Sequence, residues 1–204
     1  MGVITQGILG SFSGKVGPVV GSKWKGIATM RSYAVPANPN TAAQATQRTR
    51  FSLNQALAKS MLGSIIQPYW NPYAVKMSGF NRFMQVNLPL VANEAGILNA
   101  KITTGSLEST TLTAAGKTSG TVSLEWVAGA TGNGLSADSA IAVVYDTANN
   151  VTYLSSGSIE RGDGQANVTV PASLSPANLK AFVFFHRGEG SALEVSDSAS
   201  FQVS

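Results

Sequence analysis

The chain has 204 residues, 12% of them charged and 44% apolar, enough to bury a core in one large domain or two small ones, and too apolar for charge-driven disorder. It has no cysteine, which excludes disulfides and thiolate metal sites. The net charge of +4 is split: residues 1–93 hold nine lysines and arginines and no acid (+9), and residues 94–204 hold five against ten acids (−5). Such a basic half suits nucleic acid or the acidic half of a neighbouring copy. A surface built from Ser, Thr, Asn, Gln and Gly instead of charge suits a subunit packed against others.

The N-terminal stretch "MGVITQGILGSFSGKVG" meets its first basic residue only at Lys15. A secretory leader places positive charge first, so the expectation is a chain made in the cytoplasm. No run of about 18 apolar residues predicts a membrane span. Residues 1 to about 35 read as a glycine-rich β-ribbon. "KVGPVV" (15–20) precedes Gly21-Ser22, a hairpin-turn candidate, and "KWKGIATMRSY" (23–33) follows. Pro18 suits an edge or a bulge. In this register Lys23 and Lys25 share one strand face and Trp24 points the other way. Short ribbons are marginal alone and need a partner.

A helix is expected from Thr41, paired with Gln44 in a capping box, with Pro36 and Pro39 fixing where the ribbon ends and the helix begins. It runs through "TAAQATQRTRFSLNQALAKSML" to Gly63. Gln44, Arg48, Gln55 and Lys59 form a polar stripe. Ala42, Ala45, Leu53, Ala56 and Leu57 lie opposite, and Phe51, Ala58 and Leu62 fall on the polar side. A helix apolar on more than one face implies more than one packing partner. Arg50 projects beside Leu57, away from Arg48, so it needs an acceptor there: a backbone carbonyl or an acid from beyond residue 93.

"QPYWNPY" reads as a proline-aromatic loop in which Tyr69, Trp70 and Tyr73 serve as core or interface plugs, or as a binding platform. Ser78 caps a second helix to Leu88, with Phe80, Phe83, Met84 and Leu88 on one apolar face. Seven strands follow near 106–114, 121–127, 140–146, 151–158, 165–171, 180–187 and 198–203, with Trp126 inside them. The expected fold is therefore α+β and mostly β. A basic module of ribbon and two helices (1–97) precedes an acidic seven-strand antiparallel sandwich of immunoglobulin or fibronectin-III kind (98–204).

Catalytic patterns are weak. "GSFSGKV" (10–16) has the wrong spacing for a phosphate loop and Val16 where a magnesium-binding hydroxyl belongs. "GNGLSA" (132–137) lacks the strand-to-helix context of a dinucleotide fingerprint and reads as a hairpin turn. His186 is the only histidine and reads as structural. "RGD" (161–163) reads as turn chemistry. No nucleophile, base and orienter come together, so no enzyme, cofactor or metal is expected.

"QGILGSFSGKVGPVVGSKWKGIATMRS", "NPNTAAQATQRTRFS" and the tail with "AIAVVYD" together resemble a family of bacterial proteins known only as a domain of unknown function, over nearly the whole chain. The shorter pattern "NPNTAAQ" followed by arginines also resembles phage-type virion proteins, in which a basic ribbon leads into a helix. That resemblance implies a structural subunit, and the low charge, absent catalytic set, two-faced helix, glycine-rich ribbon and split charge make a self-assembling subunit of a virion, phage-derived particle or filament the first expectation. Its partners would be further copies in a symmetric or helical array, other virion proteins, and nucleic acid. Candidate contact residues are Lys15, Lys23, Trp24, Lys25, Arg31, Arg48, Arg50, Phe51, Tyr69 and Trp70. A nucleic-acid-associated protein, and an adhesin or carbohydrate-binding module carried by the sandwich, are the alternatives.

Overall fold

The computed structural model describes residues 3–4, 11–35, 37–38, 40–188 and 190–204. Pro36 and Pro39, expected to mark where the ribbon ends and the helix begins, lie outside them, as does the side chain of Trp24. The chain is mostly β, with three sheets and three α-helices among the described residues, and forms two compact units, residues 1–41 and 42–204.

The first unit is an antiparallel sheet of β1 (Val3–Ile4), β2 (Phe12–Val16), β3 (Val19–Trp24) and β4 (Ile27–Ser32), in that order. Gly21 and Ser22, expected to turn the chain, instead sit mid-strand opposite Met30 and Thr29. The turns fall elsewhere because of backbone sign. Gly17 takes φ +55° and Pro18, locked at negative φ, follows, the type II′ pattern. Lys25 (φ +46°) and Gly26 (φ +88°) are both positive, the type I′ pattern. Lys25 is thus a turn residue and shares no strand face with Lys23. Gly21 is required for another reason: a Cβ there would lie 2.7 Å from the ring of Phe12.

The second unit opens with α1 (Ala42–Ser60). Gly63 does not stop the helical path. The chain passes through a π-turn, Leu62–Ile66, in which the Ile66 amide donates to the Met61 carbonyl five residues back at 3.0 Å. It continues into α2 (Gln67–Trp70) and a 3₁₀ turn, Asn71–Tyr73. Pro68 and Pro72 occupy the first turns of these two segments, where a missing N–H loses no helical bond. The expected loop is therefore helical. In α3 (Gly79–Asn87) the Ser78 hydroxyl accepts the Asn81 amide at 3.3 Å, as its cap reading implied.

Among the described residues eight strands follow where seven were expected. β5 (Leu112–Thr118), β6 (Thr121–Trp126) and β9 (Gln165–Thr169) make a three-stranded sheet. β7 (Ser139–Asp146), β8 (Val151–Leu154), β10 (Leu179–Arg187), β11 (Glu194–Val195) and β12 (Ala199–Gln202) make a five-stranded one centred on β10. The strand expected at 106–114 starts at Leu112; Leu107 makes only an isolated bridge to Ser196.

The apolar run of β10 has a simple cause. Residues 179 to 185 are buried without a break because both faces of the sheet are covered. Phe182 and Phe184, with Val143 and Tyr145, share a cluster with Leu57, Met61, Ile65, Trp70 and Phe83 of the helical layer. Ala181, Val183 and Phe185 share another with Val122, Leu124, Trp126 and Val168 of the three-stranded sheet. Each buried phenylalanine contributes roughly 1.5–3 kcal/mol. The helices thus share a core with one face of the five-stranded sheet, and the compact units part near residue 41.

The buried face of α1 is Asn54, Leu57 and Ala58, continued by Met61 and Ile65. Ala58, projected on the polar side, is fully buried. Asn54 Nδ2 donates to the carbonyls of Arg50 (2.9 Å) and Val91 (3.0 Å), which fastens the helix to the segment after α3.

Candidate assembly surface

The ribbon has almost no interior. Among its described residues only Gly21 is buried, and all six residues of β4 are exposed. Ile27 is 63% exposed, Met30 73% and Val35 76%. Cross-strand partners point to the same side of a sheet. The register therefore puts Lys15, Val20 and Arg31 in one row, and Ser22 beside Thr29, their hydroxyls 2.7 Å apart. The Lys15 ammonium sits 3.6 Å from the centroid of the Tyr33 ring, a cation–π contact. Lys23, opposite Ala28, belongs to the other face with Met30. The ribbon's basic residues are divided: Lys15 and Arg31 on one face, Lys23 on the other, Lys25 on the turn. They do not form one row of phosphate contacts.

On α1 the first two turns, Ala42 to Thr49, are exposed throughout, and packing begins at Arg50. Arg48 lines an open cleft of about 460 Å³ with Ser52, Ala56, Glu94 and Asn150. Arg50 donates from Nη2 to the carbonyl of Leu88 at 3.0 Å, and at 3.4 Å to that of Pro89. Its acceptor is a backbone carbonyl, as expected, but one that precedes residue 93. The acid from beyond that point, Glu94, lies in the cleft of Arg48 instead. Phe51 stays 48% exposed.

The aromatic pair divides as well. Trp70 is buried, donates its indole N–H to the Ile102 carbonyl at 2.7 Å and meets Phe83 edge-on. It is a core residue, closed to any partner. Tyr69 is half-buried against Phe184 and His186, ring centroids 5.0 and 5.3 Å away, and burial raises its hydroxyl pKa. With Pro68, Pro72 and Leu193 it lines a shallow cleft.

The buried charges were not visible in the sequence. Arg161 and Asp138 are both fully enclosed. Arg161 Nη1 donates to Thr131 Oγ1 at 3.1 Å, and Nη2 donates to the Glu108 carbonyl. Its Nε faces Asp138 Oδ2 at 3.9 Å. Burial lowers its pKa against the pull of Asp138 and Glu108. The "RGD" tripeptide is a 3₁₀ turn whose arginine is inside and whose aspartate closes a capping box with Glu160, so it cannot present its arginine to a receptor. "GNGLSA" belongs to the crossing from β6 in one sheet to β7 in the other, not to a hairpin. A Cβ at Gly134 would lie 2.2 Å from Arg161 Nη1, so the glycine makes room for the guanidinium.

Among the described residues no three His, Asp or Glu side chains gather as a metal site requires, and no helix is long and apolar enough to cross a membrane. What sequence reasoning missed on the ribbon is the exposed apolar set Ile27, Met30, Tyr33 and Val35. The signal was in "IATMRS": alternation puts one large apolar side chain, Ile27 or Met30, on each face beside polar ones, which fits neither a buried nor a half-buried strand.

No curated protein and no solved structure matches the chain. A family model does, over residues 11–200, which takes in β2 to β4, the helices, the three-stranded sheet and the five-stranded sheet as far as the start of β12. The chain therefore belongs to DUF6266, a family of unknown function.

Proposed function

We propose that this chain is a non-enzymatic structural subunit that assembles with copies of itself, as in a virion, a phage-derived particle or a filament. The ribbon supplies the contacts between subunits, and the two-sheet body, read as an immunoglobulin or fibronectin-III-like sandwich, is displayed outward. One observation carries this reading: β4 is exposed along its whole length, with Ile27 and Met30 uncovered. A four-stranded sheet whose described residues are nearly all exposed or half-exposed lacks the burial that holds sheets together. A partner supplies that burial. The division of Lys15 and Arg31 from Lys23 weighs against a nucleic-acid footprint, which needs its cations on one surface. Size-exclusion chromatography with light scattering on the full chain, followed by electron microscopy, is the test. Oligomers or particles are expected; a monodisperse monomer at tens of micromolar with no particles would overturn the reading.

A further inference from the structure

We propose that the outer edge of β9 in one copy receives the outer edge of β4 from a second copy, so that the ribbon extends the three-stranded sheet of its neighbour. This rests on the self-assembly reading above and names its contact.

The two margins of the three-stranded sheet differ. Beside β5, the Lys117 amide donates to the Ser204 carbonyl and the Ser204 amide to the Ala115 carbonyl, both at 3.0 Å, so Ser204 occupies that margin. Beside β9, the sheet ends on an open groove of about 440 Å³ between the strand and Ser156, Ile159 and Asp163. β9, "QANVT", holds neither a charge nor a proline, the usual protections of an edge. Its Gln165, Asn167 and Thr169 face solvent.

The ribbon matches in length and charge. β4 has six residues to the five of β9 and ends its own sheet. The segment carrying it holds Lys15, Lys23, Lys25 and Arg31 and no acid. The approach to β9 holds exposed Glu160 and Asp163, and Glu125 stands opposite Gln165 on the adjoining strand. Main-chain pairing supplies the affinity and charge the choice of edge. Donor and acceptor are different patches, so every copy uses both, and the contact propagates head to tail into a ring or a filament.

The test uses unmodified full-length chain. Light and isotopically heavy protein are mixed, treated with a zero-length carbodiimide, and the peptides identified by mass spectrometry. Expected are mixed-isotope links from Lys15, Lys23 or Lys25 to Glu160 or Asp163, lost when ~1 M salt shortens the screening length to about 3 Å. Lys25 links mark parallel addition and Lys15 links antiparallel. Assemblies whose ribbon lysines link only within one chain, or to Glu94 or Glu194, or not at all, overturn this contact and leave self-assembly standing. A monomer by light scattering removes both.

Discussion

The guanidinium of Arg161 lies 4.1 Å from the centroid of the Phe185 ring, while the Arg161 backbone carbonyl accepts the indole N–H of Trp126 at 3.0 Å. One residue thus ties the end of the five-stranded sheet to the end of the three-stranded one. Asp138 completes the arrangement, its carbonyl accepting the Arg161 amide at 2.8 Å and its Oδ2 accepting the Leu135 amide at 2.7 Å. Removing one partner of a buried pair strands the other. Arg161→Ala is expected to lose about 3–5 kcal/mol of stability, read as a lower urea midpoint. Arg187→Ala, whose side chain is part-exposed at 3.5 Å from Asp138, is expected to move that midpoint far less. Equal shifts would show that the buried pair is no special support.

A second prediction concerns close backbone approach. A Cβ on Gly105 would sit 1.9 Å from the Val195 carbonyl oxygen, which also accepts the Leu107 amide at 3.0 Å. Neither side is a flexible side-chain tip, so the backbone must move. Gly105→Ala is expected to lower stability by about 1–3 kcal/mol, with loss of amide-exchange protection at Leu107. Gly63→Ala, where a Cβ meets nothing within 4 Å, is the matched control and is expected to be near neutral.

Arg50 gives a third. Its partners are the carbonyls of Leu88 and Pro89, at the end of α3, in its own unit. Arg50→Ala is expected to lose about 1.5–3 kcal/mol, the range for a hydrogen bond to a charged group, and to leave oligomer size unchanged. A variant with wild-type melting and smaller oligomers would place Arg50 at the subunit contact instead.

The legible parts of the fold were those whose local pattern and tertiary setting agree. The apolar run at 180–187 announced a strand, and Ser78 announced a helix start, because burial and capping leave direct marks on residue type. The stretch 61–73 was not legible. Its prolines look like breakers until the helical path is known to restart at each one, and a π-turn has no sequence signature. The division at residue 97 was drawn from charge and strand texture, not from packing. The charge division near residue 93 follows surface composition, whereas the compact units follow the core shared by Leu57, Phe83 and Phe182. Arg161 was hidden because "RGD" between strands looks like an exposed turn, and only the enclosing loop with Gly134 makes it internal.

A fourth prediction is one of pH. Tyr145 is fully buried between the helices and the sheet, and its hydroxyl donates to Asn150 Oδ1 at 2.8 Å. Burial, and then the nearby Asp146 and Glu94 charges, push its pKa up to about 12. The unfolded chain loses this proton near its ordinary value of 10.0, while the folded chain keeps it. The unfolded state therefore binds fewer protons above that point, and stability falls as pH rises from about 10 to about 12. Tyr145→Phe is expected to flatten this slope while losing some stability at neutral pH with the Asn150 bond. An unchanged alkaline slope in the variant would assign the effect to other tyrosines.

The ribbon carries the last prediction. Ile27 and Met30 lie on opposite faces of β4, since successive strand residues alternate, and both are mostly exposed. If both faces are covered on assembly, a charge at either position is removed from water there, while in the free chain it stays solvated. Ile27→Asp and Met30→Asp are each expected to weaken self-association by at least tenfold, about 1.4 kcal/mol or more. The thermal midpoint of the 42–204 unit should stay at its monomer value, because the described core clusters of that unit are drawn from residues 53–203. Comparing the two variants also reads the geometry. If only one face is covered, one variant dissociates and the other assembles like wild type. If both assemble like wild type, contacts between subunits lie outside β4 and the ribbon is not the assembling element.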